Sequence, residues 1–498
     1  MDNTVKKRIK EELIVISDKK LAKFMKKEAG LQEYSHHLDD LRRQQAHVLS
    51  KEQEQIMALA QDITGGPHDG FSMLTNTDFT WGNIKDARGQ DVQMSRSRYS
   101  LYMTSGDRRV RRDAYQELYV PFQSHLNTLT TLLNAELKVS LFRMKARNYE
   151  NMLEVALDGP NVPTDVYHNL IAAVNDNLEP LHRWAAIKKR VLGVDELHPY
   201  DTYAPLFPEV EKTYTYEEAQ TLVLAGLEPL GGDILAIVQR AFDERWIDVY
   251  ENQGKRGGAY SSGTYGVHPY ILLNFNGTLD AVFTLAHELG HTMHSYLSAQ
   301  NQPYIYSDYP TLAAEVASTA NEALLMQYLM DNAQSDAEKL SLLQSYVQDI
   351  GSTFYRQTRF AEFDLVLHEM VENGEPLTHE ALGQVFGDTY QRYWGPEMVV
   401  DDEERMSWSR IPHYYYNYYM YSYAVAFAAS QLIATRIMAE GQPAVDDYLQ
   451  FLSSGSSLYP IDLLKLAGAD MSTPAPIVAT TKKMDQLLDQ IEEIIARR

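Results

Sequence analysis

The chain has 498 residues, of which 44% are hydrophobic, and it carries a formal net charge of −23. This length and apolar content allow a large folded core, whereas the acidic balance would repel a phosphate backbone and argues against a nucleic-acid partner. There is no cysteine, so disulfides and thiolate chemistry are excluded and any metal must be held by His, Asp or Glu.

Membrane insertion and export are not indicated by the sequence. No apolar stretch approaches the ~20 residues needed to cross a bilayer, and the charged N-terminal sequence has no uninterrupted signal-peptide core. We therefore predict a protein without a membrane partner that stays in the cytoplasm, where an absence of disulfides is ordinary. The oligomeric state is not indicated.

Most of the first half shows the 3.6-residue apolar periodicity of amphipathic helices. A Gly-Gly-Pro breaker at 65–67 ends the second of these stretches. The predicted helices are 4–29, 32–63, 107–146, 164–193 and 216–244. Since no internal repeat or low-complexity linker separates them, we predict one large helical body with lobes.

The character of the sequence changes between residues 245 and 277. A glycine-rich loop there leads to a predicted strand at 270–274, and an amphipathic pattern returns afterwards. The helices predicted in the second half are 278–300, 312–333, 337–372, 378–392, 418–440, 443–453 and 482–497.

The motif HELGH at 287–291 lies within the apolar predicted helix 278–300. His287 and His291 are four residues apart, so both imidazoles project from one helix face and can reach one ion at ~2.0–2.1 Å. Glu288 lies beside them, where it can hold a water molecule that the metal activates. Two surface histidines are the alternative, but unpaired histidines would be costly in so apolar a helix. The motif therefore predicts a metal site.

A catalytic zinc ion takes three protein ligands and keeps a fourth position open. The candidates for the third ligand are Asp308, Glu315 and Glu322. Asp308 falls in a predicted turn, whereas Glu315 lies in an apolar helix where an unpaired carboxylate is costly, so we predict Glu315. Glu322, two turns further along the same face, would then accept the remaining N–H of a ligand histidine. We expect His294 to support the ligands or the packing. Two imidazoles and a carboxylate favour zinc, with cobalt and manganese as alternative metals.

The segments HELGHTMHSYLS and LAAEVASTANEALL together resemble the thimet oligopeptidase class of metallopeptidases, and most closely its bacterial oligoendopeptidase F branch. The likeness continues through FYRQTRFAEF, IPHYYYNYYMYSYA and FLSSGSSLYPIDLLKLAGADM and covers roughly residues 100–490. The resemblance implies that His287, His291 and Glu315 bind one zinc ion and that Glu288 is the general base. It also implies a mainly α, two-lobed body around a deep channel, with a small β-element beside the zinc-binding helix.

Peptide hydrolysis by zinc needs hydrogen-bond donors for the developing oxyanion. In the resembled family these come from a His- and Tyr-rich segment, which here is 413–423 and holds His413 and seven tyrosines. We predict His413, Tyr418 and Tyr421 as donors, because the two tyrosines are three residues apart and would share a helix face. The other tyrosines are expected to pack in the core.

Substrate binding is predicted for three residues that precede the metal motif: His268, Tyr270 and Asn274. A strand at 270–274 can pair with the backbone of a peptide, which predicts broad sequence specificity. A plain loop residue is an equal alternative for His268.

The start of the chain departs from the resembled branch, whose members usually begin with additional helical sequence. We expect an N-terminal helical region at 1–115, shortened relative to the family, and a catalytic zinc peptidase domain at 116–498. The additional sequence would help to wall the channel.

Two other classes of protein remain open alongside a zinc endopeptidase that cleaves internal bonds of short oligopeptides. A helical zinc carboxypeptidase also uses H-E-x-x-H but would remove single C-terminal residues. A non-catalytic peptide-binding protein would have lost the base or a ligand, and this chain retains Glu288 and the predicted ligands.

Overall fold

Helices form 71% of the computed structural model, which describes residues 12–14, 16–208 and 212–497. The mainly α fold class predicted from apolar periodicity is therefore confirmed. The first part of the predicted helix 4–29 lies outside the described residues. Within the described ranges, no helix combines the length and apolarity that crossing a membrane requires.

In the first half of the chain, the long helices predicted from the sequence are divided into shorter ones. The predicted helix 107–146 is interrupted at His125, whose φ of −123° leaves the helical region although the apolar spacing continues on both sides. Side-chain caps start several helices, as where Ser50 and Gln53 form a reciprocal capping box. The helices are α1 (Asp18–Lys27), α2 (Ser35–Arg43), α3 (Lys51–Thr64), α4 (Gly66–Met73), α5 (Arg96–Met103), α6 (Arg108–Ser124), α7 (Leu126–Ala146), α8 (Met152–Asp158), α9 (Thr164–Asn175), α10 (Glu179–Leu192), α11 (Tyr216–Gly226) and α12 (Gly232–Asp243).

The second half is close to its predicted pattern except around residue 418. The predicted helix 337–372 is continuous, with a π-helical segment, Ile350–Tyr355, at its centre. The helices are α13 (Leu279–Asn301), α14 (Thr311–Asp331), α15 (Asp336–Asp349), α16 (Arg356–Glu372), α17 (His379–Trp394), α18 (Asp402–Arg405), α19 (Tyr421–Glu440), α20 (Gln442–Leu452), α21 (Pro460–Leu466) and α22 (Ala475–Arg497).

Helices α13 and α14 approach each other very closely at Gly290. A Cβ atom on Gly290 would lie 2.5 Å from the Cα of Ser318, so only glycine permits this packing. Further along the pair, the buried side-chain amide of Asn321 donates to the backbone carbonyl of Ala286 at 3.0 Å. This contact fixes how far α14 is rotated and shifted against α13.

The strands form two small sheets. β1 (Asn83–Lys85) and β2 (Asp91–Gln93) make an antiparallel hairpin, and a second sheet has the order β3-β5-β4. In that sheet β5 (Tyr270–Leu272) is parallel to β3 (Ile247–Asp248) and antiparallel to β4 (Tyr260–Ser262). The small β-element beside the motif helix was thus correctly predicted.

The role predicted for the strand at 270–274 is wrong in one respect. β5 is the central strand, so its two edges already pair with neighbouring strands and cannot take up a peptide backbone. The free edge next to α13 belongs to β4, where the hydroxyls of Ser261 and Thr292 lie 2.8 Å apart.

The apolar core is continuous across both halves of the chain. Its largest cluster of buried side chains includes residues from Phe71 in α4 to Ile494 in α22. The helices that surround α13 and α14 therefore belong to one packed body, which holds this pair rigidly from several sides.

Candidate metal centre

Three potential ligand atoms converge between α13 and α14. The Nε2 atoms of His287 and His291 are 3.2 Å apart, and Glu315 Oε2 lies 3.4 Å from the first and 3.5 Å from the second. Both histidines project from one face of α13, whereas Glu315 comes from α14. Among the described residues, this is the one group of three His, Asp or Glu side chains with suitable spacing. The fold thus brings together the three residues predicted as ligands.

These spacings fit a tetrahedral zinc site. Two ligand atoms that each lie ~2.05 Å from a tetrahedral ion are separated by about 3.3 Å, close to the three distances observed. Two imidazoles and a carboxylate are also a donor set that zinc favours. The side chain of Glu315 is 44% exposed, so a fourth position on this side faces solvent, as a catalytic site requires.

Hydrogen bonds to the imidazole rings orient both histidines. Glu322 Oε1 lies 3.0 Å from His287 Nδ1, and the backbone of Ala314 accepts a hydrogen bond from the ring of His291. A ring that donates through Nδ1 presents the lone pair of Nε2, the atom that faces the other ligands. Glu322 therefore lies where a group that supports the ligands is expected.

The charges of these groups are strongly coupled. Burial disfavours a charged imidazole at His287, but hydrogen bonds to Glu315 and Glu322 outweigh burial and raise the pKa of His287 to about 10. The hydrogen bond from His287 lowers the pKa of Glu315 to about 2, against the effect of burial. Glu315 and Glu322 thus stabilise a positive charge on the ring of His287. A divalent cation bound here could replace the proton that carries this charge.

Glu288 is buried beside the ligands. Its side chain is 5% exposed, and its Oε2 atom has no hydrogen-bond partner within the described residues. Burial raises the pKa of Glu288, and the charge of His287 with a backbone hydrogen bond from Ser261 offsets that effect only in part. A carboxylate with a raised pKa and a free oxygen is suited to accept and then release a proton.

His294 and Asp308 lie outside the group of ligand atoms. The ring of His294 is 1% exposed and stacks on Tyr309, with centroids 3.7 Å apart, and burial lowers the pKa of His294 to about 3. Asp308 accepts a hydrogen bond from the backbone N–H of Tyr309. His294 therefore packs beneath the site as a neutral ring, and Asp308 shapes the turn before α14.

The tyrosine-rich segment 413–423 is not one helix. A 3₁₀ turn, Pro412–Tyr415, is followed by two consecutive left-handed residues, Asn417 with φ 44° and Tyr418 with φ 57°. Helix α19 begins only at Tyr421. The expectation that Tyr418 and Tyr421 share a helix face is therefore wrong.

Tyr418 and Tyr421 are core residues of this segment. The ring of Tyr418 stacks on His368 with centroids 4.2 Å apart, and its backbone N–H donates to Asp364 at 2.9 Å. The ring of Tyr421 packs against Tyr167 at 5.2 Å. Burial raises the pKa of both tyrosine hydroxyls, and the charges of His287, His291 and Glu315 are not among the causes. The surroundings of the two hydroxyls therefore differ from those of the metal centre.

His413 instead lies near Tyr419 and Tyr423, two tyrosines that were not predicted as donors from the sequence. Its ring centroid is 6.0 Å from that of Tyr423 and 6.2 Å from that of Tyr419. Burial, a hydrogen bond to Tyr419 and the charge of Glu315 raise the pKa of Tyr423, so the negative charge of this predicted ligand acts on its hydroxyl. Asn417 was the one sequence signal for this interruption of the predicted helix, because asparagine tolerates the left-handed conformation.

The three predicted substrate-binding residues lie in and around the second sheet. His268 stacks on Trp246 with centroids 4.4 Å apart, and Tyr270 is 56% exposed on β5. The side-chain amide of Asn274 donates to the carbonyls of Arg256 and Gly258, so it ties down the glycine-rich loop. The sequence missed β4, whose Ser261 contacts Glu288 through its backbone.

Comparison with known proteins gives matches along nearly the whole chain. The model of peptidase family M3 matches residues 101–483, and the Oligopeptidase F model matches residues 12–81. Oligopeptidase PepF of Bacillus subtilis (strain 168) is 42% identical over 486 residues, which cover 98% of this chain and 72% of PepF. Group B oligopeptidase PepB of Streptococcus agalactiae is 35% identical, with 98% of this chain and 81% of PepB covered.

A solved structure supports the same relationship. The crystal structure of oligoendopeptidase-F from Enterococcus faecium matches with a TM-score of 0.83 at 33% identity. The match covers 98% of this chain and 83% of that protein. The mainly α, two-lobed fold predicted from the resemblance is thereby confirmed.

Proposed function

The chain belongs to peptidase family M3 and is a metallopeptidase of the oligopeptidase type, and from this premise we propose that it hydrolyses internal bonds of short peptides with one zinc ion held by His287, His291 and Glu315. The observation that carries the proposal is the set of three ligand-atom distances, 3.2, 3.4 and 3.5 Å, which suit a tetrahedral ion. When bound, zinc polarises the scissile carbonyl and lowers the pKa of a water molecule.

Glu288 is the proposed general base. Its free oxygen can accept the proton of the attacking water, and its raised pKa allows it to hold that proton until the leaving amine takes it. The backbone hydrogen bond from Ser261 stabilises the ionised form of this carboxylate. This transfer completes the reaction, because the amine departs neutral and Glu288 returns to its ionised form.

The oxyanion that develops on the scissile carbonyl is proposed to receive hydrogen bonds from His413 and Tyr423, with Tyr419 positioning the second. This assignment replaces Tyr418 and Tyr421, whose side chains pack in the core. Burial lowers the pKa of His413, so near neutral pH its imidazole is uncharged and can donate through one N–H. Donors of this kind each contribute typically 10²- to 10³-fold to turnover.

The substrate backbone is proposed to lie along the free edge of β4. This edge runs beside Glu288, so a peptide paired with Tyr260–Ser262 would lie next to the proposed base. Main-chain pairing does not depend on the side chains of the peptide, so it predicts that peptides of many sequences are accepted. His268 and Tyr270 would then contact side chains of the peptide across the sheet.

The other proposed properties follow from composition and family. Short peptides are the proposed partners, and the net charge of −23 disfavours nucleic acid. The cytoplasm is the proposed location, since the chain has no cysteine to oxidise.

The decisive experiment compares the parent protein with Glu288→Gln on a quenched peptide and measures bound zinc in both. We expect one equivalent of zinc in each and a loss of turnover of at least about 10²-fold in the variant. Near-normal turnover of a zinc-loaded Glu288→Gln protein would refute the assignment of the base. Mass spectrometry of the products separates internal cleavage from the carboxypeptidase alternative, which would release single C-terminal residues.

A further inference from the structure

A buried pair of an acid and a histidine lies against the tyrosine-rich segment 413–423. Asp364 and His368 are one turn apart on α16, and neither side chain is exposed to solvent. The ring of His368 donates through Nδ1 to the backbone carbonyl of Asp364 at 2.8 Å, and the same nitrogen lies 3.2 Å from the carboxylate oxygen Oδ1. Neither residue belongs to the metal centre.

A pair of this kind contributes little to the stability of a fold. Taking a carboxylate and an imidazole out of water is costly, and apolar side chains of similar volume often give a fold that is at least as stable. Burial opposes a charge on His368, but the charge and the hydrogen bonds of Asp364 together outweigh burial and raise the pKa of the imidazole. Two charged groups are thus kept inside the core, which indicates a role other than stability.

Both members of the pair contact Tyr418. Asp364 Oδ2 accepts a hydrogen bond from the backbone N–H of Tyr418 at 2.9 Å, and the ring of His368 stacks on the tyrosine ring with centroids 4.2 Å apart. The side-chain oxygen of the preceding residue, Asn417, accepts a hydrogen bond from the hydroxyl of Ser140 on α7 at 2.5 Å. Three buried side chains from two distant helices thus hold two consecutive residues of the segment.

Asn417 and Tyr418 need this support because of their backbone conformation, and we call them the left-handed pair. Their φ angles are 44° and 57°, in a region that residues with a Cβ atom rarely adopt. Two such residues in succession persist only where their surroundings enforce them. The contacts from Asp364, His368 and Ser140 meet this requirement.

The left-handed pair brings His413 close to Tyr423. In a continuous helix, the ten residues from one to the other would span about 15 Å along the axis. The two ring centroids are instead 6.0 Å apart, and the ring of Tyr419 lies 6.2 Å from that of His413 and 5.2 Å from that of Tyr423. The grouping of these three rings therefore depends on the left-handed pair.

We propose that Asp364, His368 and Ser140 are positioning residues for the reaction. They fix the left-handed pair, and through it the relative positions of His413 and Tyr423, without contacting the substrate. Because a displacement of about 1 Å can cost about 10²-fold in turnover, such support matters more for catalysis than for folding. The inference rests on the proposed function, in which His413 and Tyr423 donate to the oxyanion.

The test replaces Asp364 in two ways. Asp364→Leu keeps much of the volume but has no acceptor for the backbone N–H of Tyr418, whereas Asp364→Asn keeps an acceptor oxygen. We expect kcat on a quenched peptide to fall about 10²-fold in the leucine variant, with zinc content unchanged and KM within about threefold of the parent value. The asparagine variant should keep kcat within about fivefold. Hydrogen exchange of the amides of 413–423 should be faster only in the leucine variant.

A double-variant cycle separates positioning from a general loss of structure. If Asp364 acts through the donors, Asp364→Leu should lower kcat by less than about tenfold once Tyr423→Phe is present. Glu362→Leu is the matched control, since Glu362 lies two residues earlier on α16 and accepts hydrogen bonds from Asn175 and Tyr393, outside this segment. It removes a partly buried carboxylate in the same way and should leave kcat within about twofold.

An unchanged kcat in Asp364→Leu, or an equal loss in Glu362→Leu, would overturn the positioning role. So would a full 10²-fold loss beside Tyr423→Phe, where Tyr423→Phe alone lowers kcat. If Asp364→Leu does not fold, Ser140→Ala decides, because it removes only the hydroxyl that holds Asn417. Its kcat should fall at least about fivefold, and an unchanged kcat would reject the proposal.

Failure of the proposed function gives a different pattern. If Tyr423→Phe leaves kcat unchanged while Asp364→Leu lowers kcat and speeds exchange in 413–423, the positioning role stands and the oxyanion assignment of Tyr423 fails. If the parent protein hydrolyses no peptide, the proposed function fails as a whole. Hydrogen exchange of 413–423 in the two Asp364 variants then decides whether this residue holds the segment.

Discussion

The metal centre and the tyrosine-rich segment 413–423 are built in opposite ways. Two of the three proposed ligands lie one turn apart on a single uninterrupted helix, α13. The candidate oxyanion donors instead lie on either side of Asn417 and Tyr418, two consecutive residues with positive φ that prevent a continuous helix. The first arrangement follows from helix geometry, whereas the second depends on contacts that hold an unfavourable backbone in place.

Those contacts come from elements that are distant in sequence. Asp364 on α16 accepts the backbone N–H of Tyr418, His368 stacks on its ring, and Ser140 on α7 donates to Asn417. Left-handed residues other than glycine cost of order 1 kcal/mol or more and persist only where their surroundings enforce them. Periodicity is thus a sound guide to α13 and a misleading one at 418–421.

The largest expected effect is at Glu315, the proposed third ligand. Glu315→Gln replaces a carboxylate by a neutral amide that binds zinc weakly, so we expect zinc loss and a fall in turnover of at least about 10³-fold. Metal content and peptide hydrolysis measure the change. Asp308→Asn, a nearby carboxylate outside the ligand group, should leave both within about twofold. Retained zinc in Glu315→Gln would point to another third ligand.

A second prediction separates the tyrosines. Tyr423→Phe should lower kcat by about 10²- to 10³-fold with zinc retained, because it removes an oxyanion donor. Tyr418→Phe should change kcat by less than about threefold, since its ring packs against His368. Steady-state kinetics on one peptide compares the two. The reverse order of effects would assign the donor role to Tyr418 instead of Tyr423.

A third prediction concerns the closeness of α13 and α14. Alanine usually stabilises a helix by about 1 kcal/mol relative to glycine. At Gly290, however, the added Cβ would meet Ser318 Cα at 2.5 Å, and we expect Gly290→Ala to destabilise by about 2–3 kcal/mol. Denaturant unfolding measures this. Gly351→Ala is the control, because no atom lies within 4 Å of its added Cβ. A neutral Gly290→Ala would mean that the helices can move apart freely.

The smallest expected effect tests the buried side of α13. The pKa of His294 is about 3 in the fold and 6.5 in the reference state, so below pH 6.5 the unfolded chain takes up a proton that the folded chain refuses. Stability should therefore fall as pH decreases from 6.5 towards 3, by about 2 kcal/mol at pH 5. His294→Phe keeps the stack on Tyr309 without the titration.

The free energy of unfolding of the parent and of His294→Phe is measured at pH 7.5 and at pH 5. A chelator is present so that both proteins are metal-free. The variant should lose about 2 kcal/mol less than the parent on acidification. Equal losses in parent and variant would show that His294 takes up its proton within the fold.

Much of the fold and of the metal centre could be predicted because both depend on local spacing. The periodicity of 337–372 and 278–300 recurs as continuous helix, and the family resemblance is confirmed by matches along the chain. Breaks such as His125 were missed, because apolar spacing continues across them. The hairpin of β1 and β2 was also missed, since three-residue strands carry little pattern.

By itself the sequence determined the helical class and the residues that can bind a cation, because a helix places positions i and i+4 on one face whatever surrounds it. Only the tertiary structure decided the remainder: the free edge at β4 instead of β5, and the packing of Tyr418 against His368 in the core. Each of these depends on which distant segments pack together, and packing partners leave no spacing signal in a single chain.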